Sequence, residues 1–176
     1  MKKLLTLLLI VGLGITTINA QDYEKAIGFK AGGGTLGTAG LNFKTFLSSS
    51  NAMDLTLSYG QSVISYNGAN YNTSYFSLTA LYEIHENAFG VDALNWYYGA
   101  GGSVGFLPST SYTTNNLTVK TSSSMALGFL GVLGIEYTIP DIPVGIAFDL
   151  EPGLFYNNGG IYFGMQGALA IRYIIN

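Results

Sequence analysis

The stretch Asn95-Trp96-Tyr97-Tyr98-Gly99-Ala100-Gly101-Gly102-Ser103-Val104-Gly105-Phe106 decides the fold of this chain. Taken by twos, Trp96, Tyr98, Ala100, Gly102, Val104 and Phe106 fall on one side and Tyr97, Gly99, Gly101, Ser103 and Gly105 on the other, the period of a β-strand. One face is apolar and ends in aromatics; the other is mostly small. That split suits a strand whose outer face meets hydrocarbon and whose inner face points into a narrow closed barrel. It predicts Trp96 and Tyr98 at one headgroup level and Phe106 near the opposite leaflet. Gly99, Gly101, Ser103 and Gly105 are expected to leave lumen space for larger side chains of neighbouring strands.

The same alternation recurs outward from this stretch. Before it, Ile27, Phe29 and Ala31 oppose Gly28, Lys30 and Gly32; Leu41, Phe43, Thr45 and Leu47 oppose Asn42, Lys44 and Phe46; Met53, Leu55, Leu57 and Tyr59 oppose Asp54, Thr56, Ser58 and Gly60. A fourth strand sets Phe76, Leu78, Ala80, Tyr82 and Ile84 against Ser77, Thr79, Leu81, Glu83 and His85. After it, Met125 to Tyr137, Val144 to Glu151 and Ile161 to Tyr173 alternate likewise, with Leu130 and Val132 breaking the polarity of the inner face. Gly33 to Thr38, Ser48 to Asn51, Asn67 to Asn72, Glu86 to Leu94, Pro140 to Pro143 and Asn157 to Gly160 read as turns or loops. The Ser, Thr and Asn content of Pro108 to Ser123 makes it the longest loop. The pattern is therefore all-β: an eight-stranded antiparallel up-and-down transmembrane β-barrel spanning residues 21–176.

Composition supports this. The 176 residues are 48% apolar and only 10% charged, against roughly 25% charged in soluble domains. Beyond the N-terminus no apolar run reaches the ~18 residues of a membrane helix. Residues 1–20 read as a cleaved signal peptide: Lys2 and Lys3 form the charged region, Leu4 to Ile15 the apolar one, and Ile18-Asn19-Ala20 the cleavage site. Removing those two lysines leaves five basic residues against ten acidic ones, a net charge of about -5. An acidic chain with so few Lys and Arg has no footprint for nucleic acid. With no Cys and one His, neither a disulfide framework nor a metal site is expected, and no cofactor.

A soluble barrel would carry the apolar face inside, where eight strands leave scarcely enough width for Trp, Tyr, Phe and Leu. With the mature N-terminus in the periplasm, Tyr82, Tyr137 and Tyr173 lie at the ends of their strands, and Trp96 and Tyr98 at the start of theirs. These five form the expected periplasmic aromatic girdle. The inward parity collects Lys30, Lys44, Asp54, Glu83, Glu136, Asp149, Glu151 and Arg172. Unpaired charge is costly in a low-dielectric lumen, so these eight are expected to pair as a polar plug centred on Glu136, Asp149, Glu151, Arg172 and Lys30.

Through Leu81-Tyr82-Glu83-Ile84-His85, Leu94-Asn95-Trp96-Tyr97-Tyr98-Gly99 and Gly131-Val132-Leu133-Gly134-Ile135-Glu136-Tyr137, the chain resembles the small eight-stranded outer-membrane β-barrel proteins of Gram-negative bacteria, in the manner of OmpA-, OmpX- and OmpW-like barrels. The resemblance covers Gln21 to Asn176. It implies a cell outer-membrane location, contact with outer-membrane lipid, a monomer, and insertion by the outer-membrane assembly machinery. The usual signal for that machinery is a terminal aromatic residue, from which the ending Tyr173-Ile174-Ile175-Asn176 departs.

Gly32, Gly34 and Gly37 match G-x-G-x-x-G, but the following residues alternate as a strand instead of opening a helix, so they read as a flexible loop. His85, near Glu83 and Glu86, has no serine tied to it and reads as a rim histidine touching water and headgroups. The expected role is thus non-enzymatic: envelope integrity or surface interaction. The alternatives are a narrow pore for small or apolar solutes and a lipid-modifying enzyme.

Overall fold

The computed structural model describes residues 23–34, 38–66, 69–109, 111–114, 117–120, 122–157 and 160–175. The expected signal peptide and the cleavage site lie outside these. Eight long strands close on themselves: β1 (Lys25–Gly34), β2 (Thr38–Phe46), β3 (Asn51–Tyr66), β4 (Ala69–Asn87), β5 (Leu94–Leu107), β8 (Ser124–Ile139), β9 (Val144–Asn157) and β10 (Gly160–Ile175). A separate two-stranded hairpin, β6 (Ser111–Thr114) and β7 (Leu117–Lys120), stands between β5 and β8. Every pairing is antiparallel, and β1 closes the barrel against β10.

The register sets the barrel's shape. Stepping across hydrogen-bonded partners from Ala26 leads through Lys44, Asp54, Leu81, Gly101, Leu130 and Gly153 to Gly164. That arrival is ten residues from Ile174, the direct partner of Ala26. A stagger of ten over eight strands, at ~3.3 Å rise and ~4.8 Å spacing, tilts the strands by about 40°. The interior is then only wide enough for side chains.

Two segments differ from the sequence expectation. The polar run 67–72 is not a loop of that length: β3 continues to Tyr66 and β4 begins at Ala69, fully paired. Strand pairing beyond the membrane needs no apolar face, so period-2 patterning faded before the ladder did. The 108–123 connection, expected as a loop throughout, contains the β6–β7 hairpin, in which Tyr112 pairs with Val119. Likewise β9 runs six residues past Glu151, the expected end of its alternation, to Asn157.

At the end of the barrel that carries the chain termini the connections are short. Leu47 N–H donates to the Asn51 carbonyl at 2.7 Å, and Ser48 Oγ accepts from Asn51 N–H at 3.2 Å. The 88–93 turn is longer; Phe89 and Ala93 adopt φ of 58° and 64°, and Asn87 Nδ2 donates to the Val91 carbonyl at 2.9 Å.

Side-chain direction follows the alternation. Phe29, Leu41, Leu57, Leu78, Leu127, Phe148 and Ile171 all point outward and are exposed, while their strand neighbours Lys30, Asn42, Thr56, Thr79, Ala147 and Arg172 are buried. A soluble protein seldom exposes so continuous an apolar surface. The polarity is that of a transmembrane barrel. Leu57, 57% exposed in the middle of this belt, supplies a direct check. Leu57→Lys is expected to lose about 2–4 kcal/mol in urea unfolding from lipid vesicles, whereas a barrel with a water-facing exterior would tolerate it.

Candidate functional site: the closed lumen

Each barrel strand contributes to the lumen because its even-parity or odd-parity face is the polar one. Lys30 comes from β1, Asn42 and Lys44 from β2, Asp54 from β3, Glu83 and His85 from β4, Tyr97 from β5, Glu136 from β8, Asp149 and Glu151 from β9, and Arg172 from β10. The eight charges singled out from sequence are all buried and meet in one network.

Arg172 is its hub. One terminal nitrogen lies 2.8 Å from Asp54 and the other 3.0 Å from Glu136, while Nε donates to the side-chain oxygen of Asn42. Asn42 in turn donates to Asp54 at 2.7 Å. Lys44 stands 2.8 Å from both Glu83 and Glu136. Lys30 lies 2.5 Å from Asp149 and 2.6 Å from Glu151. Arg172 and Lys30 thus reach the carboxylates of β8 and β9, as the closure of the last strand on the first predicts. Arg172 also crosses the lumen to Asp54, and Lys44 bridges to β4.

Several partners escaped the sequence reading. Tyr23, which precedes the first strand, donates to Glu136. Tyr97 donates to Asp149, and Lys44 Nζ sits 4.3 Å above the centre of its ring. The inward parity of Tyr97 was visible in sequence; that of Tyr23 was not. His85 is not a rim residue in water and headgroups: it is 1% exposed inside the lumen. It hydrogen-bonds Glu83 at 3.0 Å and stacks on Tyr97 with centroids 4.6 Å apart. The reason is β4, which stays paired to Asn87 and so carries the inward parity of His85 below the charges.

Apolar side chains pack beside the network. Near the termini, Tyr23, Ala26 and Ile174 pack with Phe46. Leu81, Leu130, Val132 and Phe155 cluster with Tyr97, Ala147 and Ala170, interleaved with the charges: Leu81 is the cross-strand partner of Asp54 and Ala147 that of Glu136. Leu130 and Val132, anomalies in the polarity pattern, belong to this second cluster.

The glycines of the opening stretch act differently from expectation. A Cβ at Gly99 or Gly101 would strike the backbone carbonyl of Tyr82 or Ala80 on β4, so these positions serve close strand approach and not lumen volume. It is Gly134 that makes room for a large side chain: a Cβ there would run into the ring of Tyr97.

The outward aromatics lie at two depths. Trp96, Tyr137 and Tyr173 are each two residues from the terminal-side end of their strand, but Tyr98 is four and Tyr82 five residues in. At about 2.5 Å of axial rise per residue, Tyr98 and Tyr82 sit about 5–8 Å further along the barrel. Tyr82 is deeper than the sequence suggested because β4 continues beyond it. Trp96 and Tyr98 rings lie 5.3 Å apart on the outer face.

Fold and lumen together define a class: a transmembrane-type barrel with an apolar exterior and a filled, charged interior. The chain is similar in structure to the N-terminal β-barrel domain of Pseudomonas aeruginosa OprF, at 16% identity over 88% of this chain and all of that one, with a TM-score of 0.47. It is also similar to the Yersinia pestis outer membrane protein Ail, at 11% identity, 86% and 100% coverage and a TM-score of 0.48. For Neisserial surface protein A the values are 15%, 86% and 94%, and 0.41. No protein-family model matches the chain, and no curated protein matches it.

Proposed function

We propose that this chain is a non-enzymatic outer-membrane barrel that does not conduct, and that it serves envelope integrity or surface interaction through the loops at its outer end. The observation that carries this reading is the filled lumen. Arg172, Tyr97, Lys44, Leu81, Leu130, Glu83, Glu136 and Asp149 are each less than 2% exposed, so side chains occupy the space a pore would need. The apolar belt supports residence in lipid. The 108–123 connection, the longest between barrel strands, supports an outer placement for its end of the barrel, with the terminal end in the periplasm and the aromatics Trp96, Tyr98, Tyr137, Tyr173 and Tyr82 as the periplasmic girdle. Export by the amino-terminal signal, insertion by the outer-membrane assembly machinery and a monomeric state complete the proposal. A lipid-modifying reaction at His85 finds no support, since its imidazole faces the lumen, packed between Phe46 and Tyr97.

The test is membrane fractionation joined to gel mobility with and without heating, then reconstitution in planar bilayers. The expected result is an outer-membrane protein with a heat-modifiable shift and no current steps. A soluble, unshifted protein would overturn the membrane placement. Regular single-channel steps would overturn the closed lumen and favour the narrow pore.

A further inference from the structure

One strand carboxylate stands on the lipid side of the barrel. Glu86 follows the inward-facing His85 on β4 and so points outward, directly across from Trp96 on β5. Tyr98 comes next along that face, its ring 5.3 Å from the ring of Trp96 and its hydroxyl 3.5 Å from Glu86 Oε1. The hydroxyl contact is at the long limit of a hydrogen bond, so the carboxylate keeps its capacity for a stronger donor. All three side chains are half-buried, with open area toward the lipid. Among the described residues no cation supplies that donor. Lys30, Lys44 and Arg172 are engaged inside the lumen. Lys25 is on β1, the strand opposite β5 in the ring of eight, and Lys120 is on β7 at the other end of the barrel.

The surroundings of Glu86 define what fits beside it. Leu133 and Ile135, the β8 partners of Tyr98 and Trp96, are exposed in the apolar belt. On the side away from the belt, the 88–93 turn adds the exposed carboxylate of Asp92. A ligand for this place therefore has a positive head, directed toward the terminal end, and an apolar tail.

We propose that Glu86, Trp96 and Tyr98 bind the primary ammonium headgroup of a zwitterionic, ethanolamine-type phospholipid. The ammonium donates N–H bonds to the Glu86 carboxylate, and its charge lies against the faces of the two aromatic rings. The acyl chains run along Leu133 and Ile135 into the belt. A lipid whose head carries only negative charge lacks the donor and meets Glu86 and Asp92 as like charges. The proposal rests on the membrane placement argued above, to which it adds a lipid preference on one side of the barrel.

The only tryptophan of the chain belongs to the site, so its fluorescence reports the lipid beside it. The mature chain is refolded into vesicles of phosphatidylcholine brominated on its acyl chains, a quencher, mixed with an equal fraction of unlabelled phosphatidylethanolamine or phosphatidylglycerol. Phosphatidylethanolamine is expected to displace the quencher from Trp96 about three- to tenfold more effectively, as one exposed ion pair and one cation–π contact allow. Glu86→Gln should bring the two lipids to equality; if that variant does not insert, Glu86→Thr, a residue suited to a strand, takes its place. A wild-type ratio near one overturns the site and leaves Glu86 to water or to a basic protein partner. A preference that survives loss of the carboxylate overturns it too, since it would belong to the bilayer as a whole. Absence of quenching in every mixture would instead overturn the membrane placement itself, a result distinct from quenching that is present and equal.

Discussion

Arg172→Met is expected to cost about 3–5 kcal/mol, the usual loss when one partner of a buried ion pair is removed, read as a lower temperature for losing the compact, heat-modifiable form. Methionine replaces most of the stem volume, so the loss reports charge and hydrogen bonding more than packing. Asp54 and Glu136 stay buried without the guanidinium that held them at 2.8 and 3.0 Å, and Asn42 loses the donor to its side-chain oxygen. Lys30 and Lys44 are then left to face all five carboxylates. Adding Asp54→Asn to Arg172→Met should recover part of the loss, since it removes one of the stranded charges while keeping an amide for Asn42 to meet. An unchanged midpoint in the single variant would show that water, not Arg172, satisfies these carboxylates, and the plug would then have no structural weight.

How much of this was legible in sequence follows from which physical signals are periodic. The eight strands and their inward and outward faces were readable because lipid and lumen impose opposite demands on alternate residues. Lys30, Lys44, Asp54, Glu83, Glu136, Asp149, Glu151 and Arg172 share the inward parity, and the structure brings all eight together. What parity cannot give is partner choice, because the stagger of the closed barrel decides which inward positions share a height. Arg172 meets Asp54 across the lumen through that stagger alone. Nor does parity mark where strands end once they leave the apolar belt. The extensions of β3, β4 and β9 went unseen for that reason, and with β4 went the burial of His85. Tyr23 lies before the first alternation, so nothing periodic pointed to its contact with Glu136.

Tyr97→Ala should be as damaging, by about 3–5 kcal/mol, because one ring holds three parts of the lumen in register. Its lower contact is His85, stacked at 4.6 Å; Lys44 Nζ lies 4.3 Å over its ring; its hydroxyl donates to Asp149. Truncation leaves a cavity beside charged groups and removes a donor from one of them. Tyr97→Phe separates the two effects: the ring stays, and Asp149 keeps Lys30 at 2.5 Å, so the loss should be only about 1–3 kcal/mol. Gly134→Val supplies the converse, for its side chain would occupy the seat of the ring and should approach the alanine variant in effect while leaving Tyr97 in place. Urea unfolding followed by the fluorescence of Trp96, the only tryptophan, ranks all three. Equal losses for Tyr97→Phe and Tyr97→Ala would assign the effect to the hydroxyl and remove the ring's packing from the account. A mild Gly134→Val would show that the ring can shift, and that the small residue opposite it on β8 is not what fixes its position.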